Sequence, residues 1–262
     1  MQNIFMDLMK RLINKLKILK KLGASGVKQS LEDEGVSFQD IEIMRVLTKK
    51  IKMKLNVKIG GCEAKNDIFF CSNLKVDSIV APMVESSYAL KKFIQVVPKE
   101  YLGNLFINLE SKTAFNNINK IINSEGFKKL KGVVIGRSDL AGSYGMSKSQ
   151  VNSKKIYREV HSVLKNVKKK GKITKMGGSI TVNSKNFIKN LYEEKLINNI
   201  EARNLELKLS NRNISNLDKI IPEIFEFEIL WLKFRNTRKD INIFKKKDNS
   251  KRILIMKKRL EN

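Results

Sequence analysis

Two stretches, Leu105-Phe-Ile-Asn-Leu-Glu110 and Gly132-Val-Val-Ile-Gly-Arg-Ser-Asp139, decide how this chain reads. Each is a short run of apolar residues bounded by polar ones, as in a strand buried on both faces, and each runs into a carboxylate. Between them, Thr113 to Ile122 carries apolar residues at helical spacing, so the two strands belong to consecutive βα units with an acid at each carboxyl end. The same alternation extends in both directions. Strand-like runs appear at Gly26 to Ser30, Leu55 to Ile59, Ser78 to Met83, Ile173 to Met176 and Ile200 to Leu207. Helical periodicity appears at Phe38 to Lys50, Ser86 to Val96, Val151 to Lys168 and Ser184 to Leu191. A repeat of roughly 25 to 30 residues is the size of a right-handed βα unit, which makes the sheet parallel.

Seven such units predict an α/β fold of the TIM (β/α)8-barrel type rather than an open doubly wound sheet. Polar and charged groups recur after successive strands: Leu31 to Glu34, Lys58, Glu85, Glu110, Arg137 to Asp139, Gly177 to Ser179 and Glu201 to Arg203. A barrel gathers such ends on one face, whereas an open sheet concentrates them at one switch point and usually shows a Gly-rich first turn. The strand count is one short. The segment before Gly26 reads as helix, so either the first strand is absent or another segment takes its place. Asp240 to Phe244 and Arg252 to Met256, read as a hairpin around Asp248-Asn249-Ser250, would fill it.

Outside the repeat, residues 1–24 form an amphipathic helix, with Phe5, Leu8, Leu12, Leu16 and Leu19 along one face and lysines along the other. It leads directly into a strand, so packing on its own domain is expected rather than lying on a membrane. Residues 25–210 make the barrel domain and 211–262 a basic extension. In that extension Ile220 to Phe234, with the sole Trp231, is too apolar to stand in water. It is expected to cover the barrel or to join a neighbouring copy, and a homo-oligomer follows.

The composition bounds the function. Of 262 residues, 53 are Lys or Arg and 26 Asp or Glu, a formal charge of +27. Lys outnumbers Arg 43 to 10 and the charge is spread along the chain without interleaved aromatic residues. That pattern reads as a solvated surface, and nucleic acid is not the expected partner. No apolar run approaches the roughly 20 residues that cross a bilayer, so membrane association is not expected and a cytoplasmic protein is. Cys62 and Cys71, with His161 as the only histidine, exclude a disulfide framework and a Cys/His zinc site.

Glu110 and Asp139 end neighbouring strands and should converge on the barrel rim. Two such carboxylates repel unless a cation lies between them, and an oxygen-only donor set selects a hard divalent ion. The competing reading is that each caps the helix after it. Gly177-Gly178-Ser179 is likewise open between a phosphate-holding turn and a tight turn that needs small residues.

The order and spacing of four motifs resemble the HpcH/HpaI aldolase and citrate lyase family. They are Ser30-Leu-Glu-Asp33, Val80-Ala-Pro-Met-Val-Glu85, Asn108-Leu-Glu110-Ser-Lys-Thr-Ala114 and Gly132-Val-Val-Ile-Gly136-Arg-Ser-Asp139-Leu140, the last followed by Gly145. The resemblance runs from about Gly26 to Leu207. It implies a TIM barrel holding magnesium, or manganese, through Glu110 and Asp139, and a carbon-carbon lyase working on a 2-keto acid unit through a metal-stabilised enolate. Gly136, Ser138, Glu85 and the Gly177 to Ser179 turn would then line the substrate site. The family's arginine after the second strand is Lys58 here, with Arg137 as a possible substitute, and the family's histidine falls at Gly35. His161, inside a helix, cannot replace it. Glu32, Asp33, Glu34 and Glu85 are left as candidate bases. These departures keep a second reading in play, a barrel that has lost catalysis and serves as a binding or scaffold protein.

Overall fold

The computed structural model describes residues 2–32 and 34–261. Eight strands close a barrel in sequence order: β1 (Ala24–Ser30), β2 (Lys54–Lys58), β3 (Ser78–Ala81), β4 (Leu105–Leu109), β5 (Gly132–Gly136), β6 (Ile173–Gly177), β7 (Asn199–Ala202) and β8 (Leu205–Lys208). The first seven run parallel, while β8 is antiparallel to both β7 and β1. The missing strand of the sequence reading therefore lies inside Ile200 to Leu207. Arg203 takes a left-handed turn at φ +51 and folds that run into a hairpin, so the returning arm closes the barrel against β1.

The helices are α1 (Gln2–Lys21), α2 (Phe38–Ile51), α3 (Lys65–Asn73), α4 (Ser87–Val96), α5 (Lys112–Asn116), α6 (Ile118–Ile122) and α7 (Glu125–Lys128). Then come α8 (Arg137–Ser143), α9 (Lys154–Lys168), α10 (Lys185–Glu193), α11 (Asn211–Ser215), α12 (Leu217–Thr237) and α13 (Ile243–Glu261). The expected C-terminal hairpin is not formed. Residues 243–261 are one helix, and Asp248-Asn249-Ser250 lies within it. Asn249 is buried and donates to Asn236 Oδ1 at 2.8 Å, and Met256 is buried two turns on. The apparent turn residues serve as contacts to α12, and that packing overrides their local turn preference.

The main core lies outside the barrel, between the helices and the outward residues of the strands, such as Val27, Leu55, Ile79, Ile107 and Val133. Inside, Val80, Phe106 and Val134 form a separate small apolar cluster. The rest of the interior is polar. Lys175 Nζ sits 3.8 Å above the Phe106 ring, pairs with Glu206 and lies 3.5 Å from Glu201 Oε1. Glu206 also accepts from Asn56 Nδ2 at 2.8 Å, from Ser25 Oγ at 2.9 Å and from Asn199. A barrel of this size usually fills its interior with branched aliphatic side chains, so each charge here depends on these partners.

The N-terminal helix packs on its own chain, as its pattern requires. Leu8, Leu12, Leu16 and Leu19 are buried, and Lys15 bridges Glu223 at 2.8 Å and Glu226 at 2.5 Å on α12. The apolar stripe of α12 is buried between α1, the barrel and α13. Its end is pinned by Asp40, in the first turn of α2 after the Ser37 cap. The Asp40 carboxylate accepts from Arg235 Nε at 3.0 Å and from Arg238. This anchor brings α13 across the carboxyl-end face of the barrel.

Candidate active site at the barrel mouth

A cavity of about 400 Å³ opens at the carboxyl ends of the strands. Its floor carries Glu110, at the end of β4, and Asp139, in the first turn of α8. Parallel strands of the same barrel deliver both, because Leu109 and Ile135 are register partners. Glu110 is buried and its orientation is set on both oxygens. Oε1 accepts from the Met83 backbone N–H at 3.1 Å, and Oε2 from Asn108 Nδ2 at 3.0 Å. Gly136 makes room for it, since a Cβ there would lie 2.3 Å from Oε2. Burial pushes the Glu110 pKa up, the Lys58 charge opposes this and the Asp139 charge adds to it.

The capping alternative is not what the geometry uses. Ser111 caps α5 by accepting from the Ala114 N–H, which leaves the Glu110 carboxylate directed into the cavity wall. The cation whose charge acts on Glu110 is Lys58, itself paired with Glu32. The donor set is two carboxylates with an amide beside them, and the buried Asn108 Oδ1 has no hydrogen-bond partner. No group of three or more His, Cys, Asp or Glu suited to a metal occurs among the described residues. Such a set fits a hard divalent ion that takes two protein oxygens and completes its shell with water or substrate.

The remaining candidates divide. Lys58 lines the cavity and pairs with Glu32 Oε2 at 3.1 Å. Asp33 lies outside the described residues. Gly136, Ser138, Gly177, Gly178 and Ser179 all line the cavity. The last three form a tight turn seated on α8: Gly178 has φ +80, and a Cβ there would lie 2.4 Å from the Ser138 N–H nitrogen. Ser138 and Ser179 share a hydroxyl hydrogen bond at 2.9 Å. Glu85 is not among the lining residues. It accepts from Ser111 Oγ and so braces the loop that carries Glu110.

Arg137 is turned away from the cavity. Its guanidinium is fully buried and donates to Gly177 O at 3.3 Å, Gly178 O at 2.9 Å and Asn152 Oδ1 at 2.6 Å, with Phe187 below it at 4.8 Å. Burial lowers its pKa to about 9, so it stays charged at neutral pH while holding the glycine turn in place. At Gly35, the position of the family histidine, φ is +52 and a Cβ would meet Lys245 Nζ at 3.2 Å. His161 lies on α9 and pairs with Glu194 at 2.7 Å, away from the cavity.

Sequence reasoning missed several lining groups. Lys28 lies on β1, and its Nζ is 3.6 Å from Glu201 Oε2. It was legible only as an alternating position on a strand. Asp248, Arg252 and Arg259 come from α13, where the expectation of a hairpin hid the spacing that puts them on one helix face. Glu34, by contrast, was already a candidate base in the sequence; it is buried in the wall and accepts from Asn204 Nδ2 at 2.7 Å.

A closed α/β barrel with two carboxylates lining a cavity at the carboxyl ends of its strands defines a barrel protein with a candidate site at its mouth. Residues 50–186, just over half of the chain, match the HpcH/HpaI aldolase/citrate lyase family, and the chain belongs to that family. Among solved structures it is similar to an HpcH/HpaI aldolase from Desulfitobacterium hafniense DCB-2, at 13% identity and a TM-score of 0.57, covering 67% of this chain and 75% of that one. It is similar too to an HpcH/HpaI aldolase/citrate lyase family protein from Burkholderia cenocepacia J2315, at 12% identity and a TM-score of 0.59, covering 73% and 84%. A third is the citrate synthase SbnG, at 12% identity and a TM-score of 0.57, covering 73% and 82%. At such identities the likeness establishes the fold. No curated protein matches the chain.

Proposed function

We propose that the protein is a divalent-metal-dependent carbon-carbon lyase acting on a 2-keto acid or its adduct. The observation that carries this reading is the Glu110–Asp139 pair: two acids lining one cavity, the buried one held in place on both oxygens, with Lys58 on the same wall as the cation whose charge acts on Glu110. These residues would hold magnesium, or manganese, and the bound ion would supply a Lewis acid for the carboxylate and carbonyl oxygens of the keto acid. The chain's own part is positioning. Asn108 and the Met83 N–H fix the Glu110 carboxylate, while Lys28 and Lys58 place positive charge on the cavity wall. Glu34, buried on the same wall, is the candidate for moving a proton, because Glu32 is engaged with Lys58.

The test is titration of magnesium and manganese into the wild type, Glu110→Ala and Asp139→Ala, together with turnover of oxaloacetate. Each substitution is expected to weaken metal binding at least a hundredfold and to abolish decarboxylation; unchanged affinity in both variants would remove the proposal. A second reading, a barrel that binds without catalysing, is favoured by the engagement of Lys58 with Glu32 and by the inward turn of Arg137. It predicts that metal and keto acid bind while oxaloacetate survives unchanged.

A further inference from the structure

The outer part of the cavity is built by two segments of the chain beyond the residues matched to the family: the β7–β8 turn and α13. Arg203 comes from the turn, and Arg252 and Arg259, two helical turns apart, come from one face of α13. All three line the cavity and are half-buried. Arg203 Nε lies 3.4 Å from Glu228 Oε1, and Arg259 lies 5.8 Å from the Phe225 ring. Neither Arg252 nor Arg259 makes an ion pair within 4 Å among the described residues. Asp248, one turn before Arg252, lines the cavity as well and makes no ion pair within 4 Å among the described residues. Two buried acids stand near these arginines: Glu34, engaged by Asn204, and Glu228, whose two oxygens have no hydrogen-bond partner. Burial raises its pKa to about 7, so it offsets only part of their charge at neutral pH.

We propose that Arg203, Arg252 and Arg259 form a subsite for a phosphoryl group, so that the substrate of the proposed lyase carries a phosphate at the end remote from its keto acid. Three guanidinium groups from two elements outnumber the acceptor oxygens of one carboxylate but match those of a phosphate dianion, which takes several donors at once. A barrel's last strand connections are also where phosphate is commonly held, and Arg203 stands in that connection. The keto acid end of this substrate rests on the function proposed above; the arginine subsite does not.

Calorimetric titration of inorganic phosphate into the full chain, with EDTA present, isolates the arginines from the acidic pair. Wild type is expected to bind phosphate. Arg252→Gln combined with Arg259→Gln should weaken it at least tenfold, and Arg203→Gln, on the other wall, should weaken it too. Lys247→Gln combined with Lys251→Gln removes the same charge from exposed positions of α13 and should change binding less than twofold. Acetate should bind at least tenfold more weakly than phosphate. Absence of phosphate binding by wild type, an equal loss in the lysine control, full binding in folded Arg203→Gln, or acetate binding as tightly as phosphate would each overturn the subsite. Phosphate binding that survives while the metal titration fails would overturn the lyase reading alone.

Discussion

At the scale of single residues, two glycines of β5 separate the requirements of the site from those of the fold. A Cβ at Gly136 would meet the Glu110 side chain, whereas one at Gly132 would lie 2.0 Å from the Ile173 carbonyl oxygen of the neighbouring strand. Glu110 Oε2 can swing aside, but its Cβ, 2.7 Å from the added carbon, is fixed to the backbone, as is the paired strand at Gly132. Gly136→Ala is therefore expected to lose some stability, less than Gly132→Ala, and at least tenfold in metal affinity. Gly132→Ala should lose several kcal/mol of stability, the range of severe overpacking, in urea denaturation. Glu228 gives a pH signature. Its folded pKa, about 7, stands above its ordinary 4.5, so between those values the folded chain holds a proton that the unfolded chain has released. Stability falls as pH rises across that window, by about 3 kcal/mol at 1.36 kcal/mol per unit. Glu228→Gln should flatten the slope of melting temperature between pH 5 and 8 relative to wild type, and an unchanged slope would contradict this assignment.

At the scale of elements, the position of α13 depends on one buried acid. Asp40 completes the capping box of α2 with Ser37 and accepts from Arg235 and Arg238 at the end of α12. Removing one member of a buried charge cluster leaves the others uncompensated, at a typical cost of 3–5 kcal/mol. Asp40→Asn is expected to show a loss of that size in urea denaturation, with faster hydrogen exchange in α13 than in the barrel strands. Helices such as α2, α4 and α9 were legible because their amphipathic stripes begin at recognisable caps, Ser37, Ser86 and Ser153, whereas α3, which starts after Ala64 without a side-chain cap, was not read. Thr113 to Ile122, which reads as one helix, is broken at Asn117 into α5 and α6. The α13 segment read poorly because Lys, Asp, Asn and Ser dominate its exposed side, and its buried face is recognisable only against α12.

At the scale of the whole molecule, the +27 charge lies mostly on exposed lysines, while three of the ten arginines serve inside: Arg137 under the glycine turn, Arg235 and Arg238 on Asp40. A diffuse lysine surface binds polyanions through counterion release alone, which salt suppresses steeply. DNA retained in a gel shift at about 20 mM salt should be released at about 150 mM, the physiological value. Retention there would point to a dedicated nucleic-acid surface. No helix among the described residues is long and apolar enough to cross a membrane.

What the residues alone determined is the repeat: alternating apolar runs and amphipathic stripes specify strand and helix locally, and their order specifies a barrel with Glu110 and Asp139 on one rim. Two things needed the folded molecule. The last strand doubles back at Arg203, since only closure against β1 rewards splitting a run that reads as one strand. Which charges face the cavity was also decided there. Arg137 reads as a cation at the mouth and Lys175 only as a position inside a strand, yet buried carbonyls draw the first behind the wall and Glu206 draws the second into the barrel. Charge is a property of a residue, but direction depends on which partners lie within reach, and these come from distant parts of the chain.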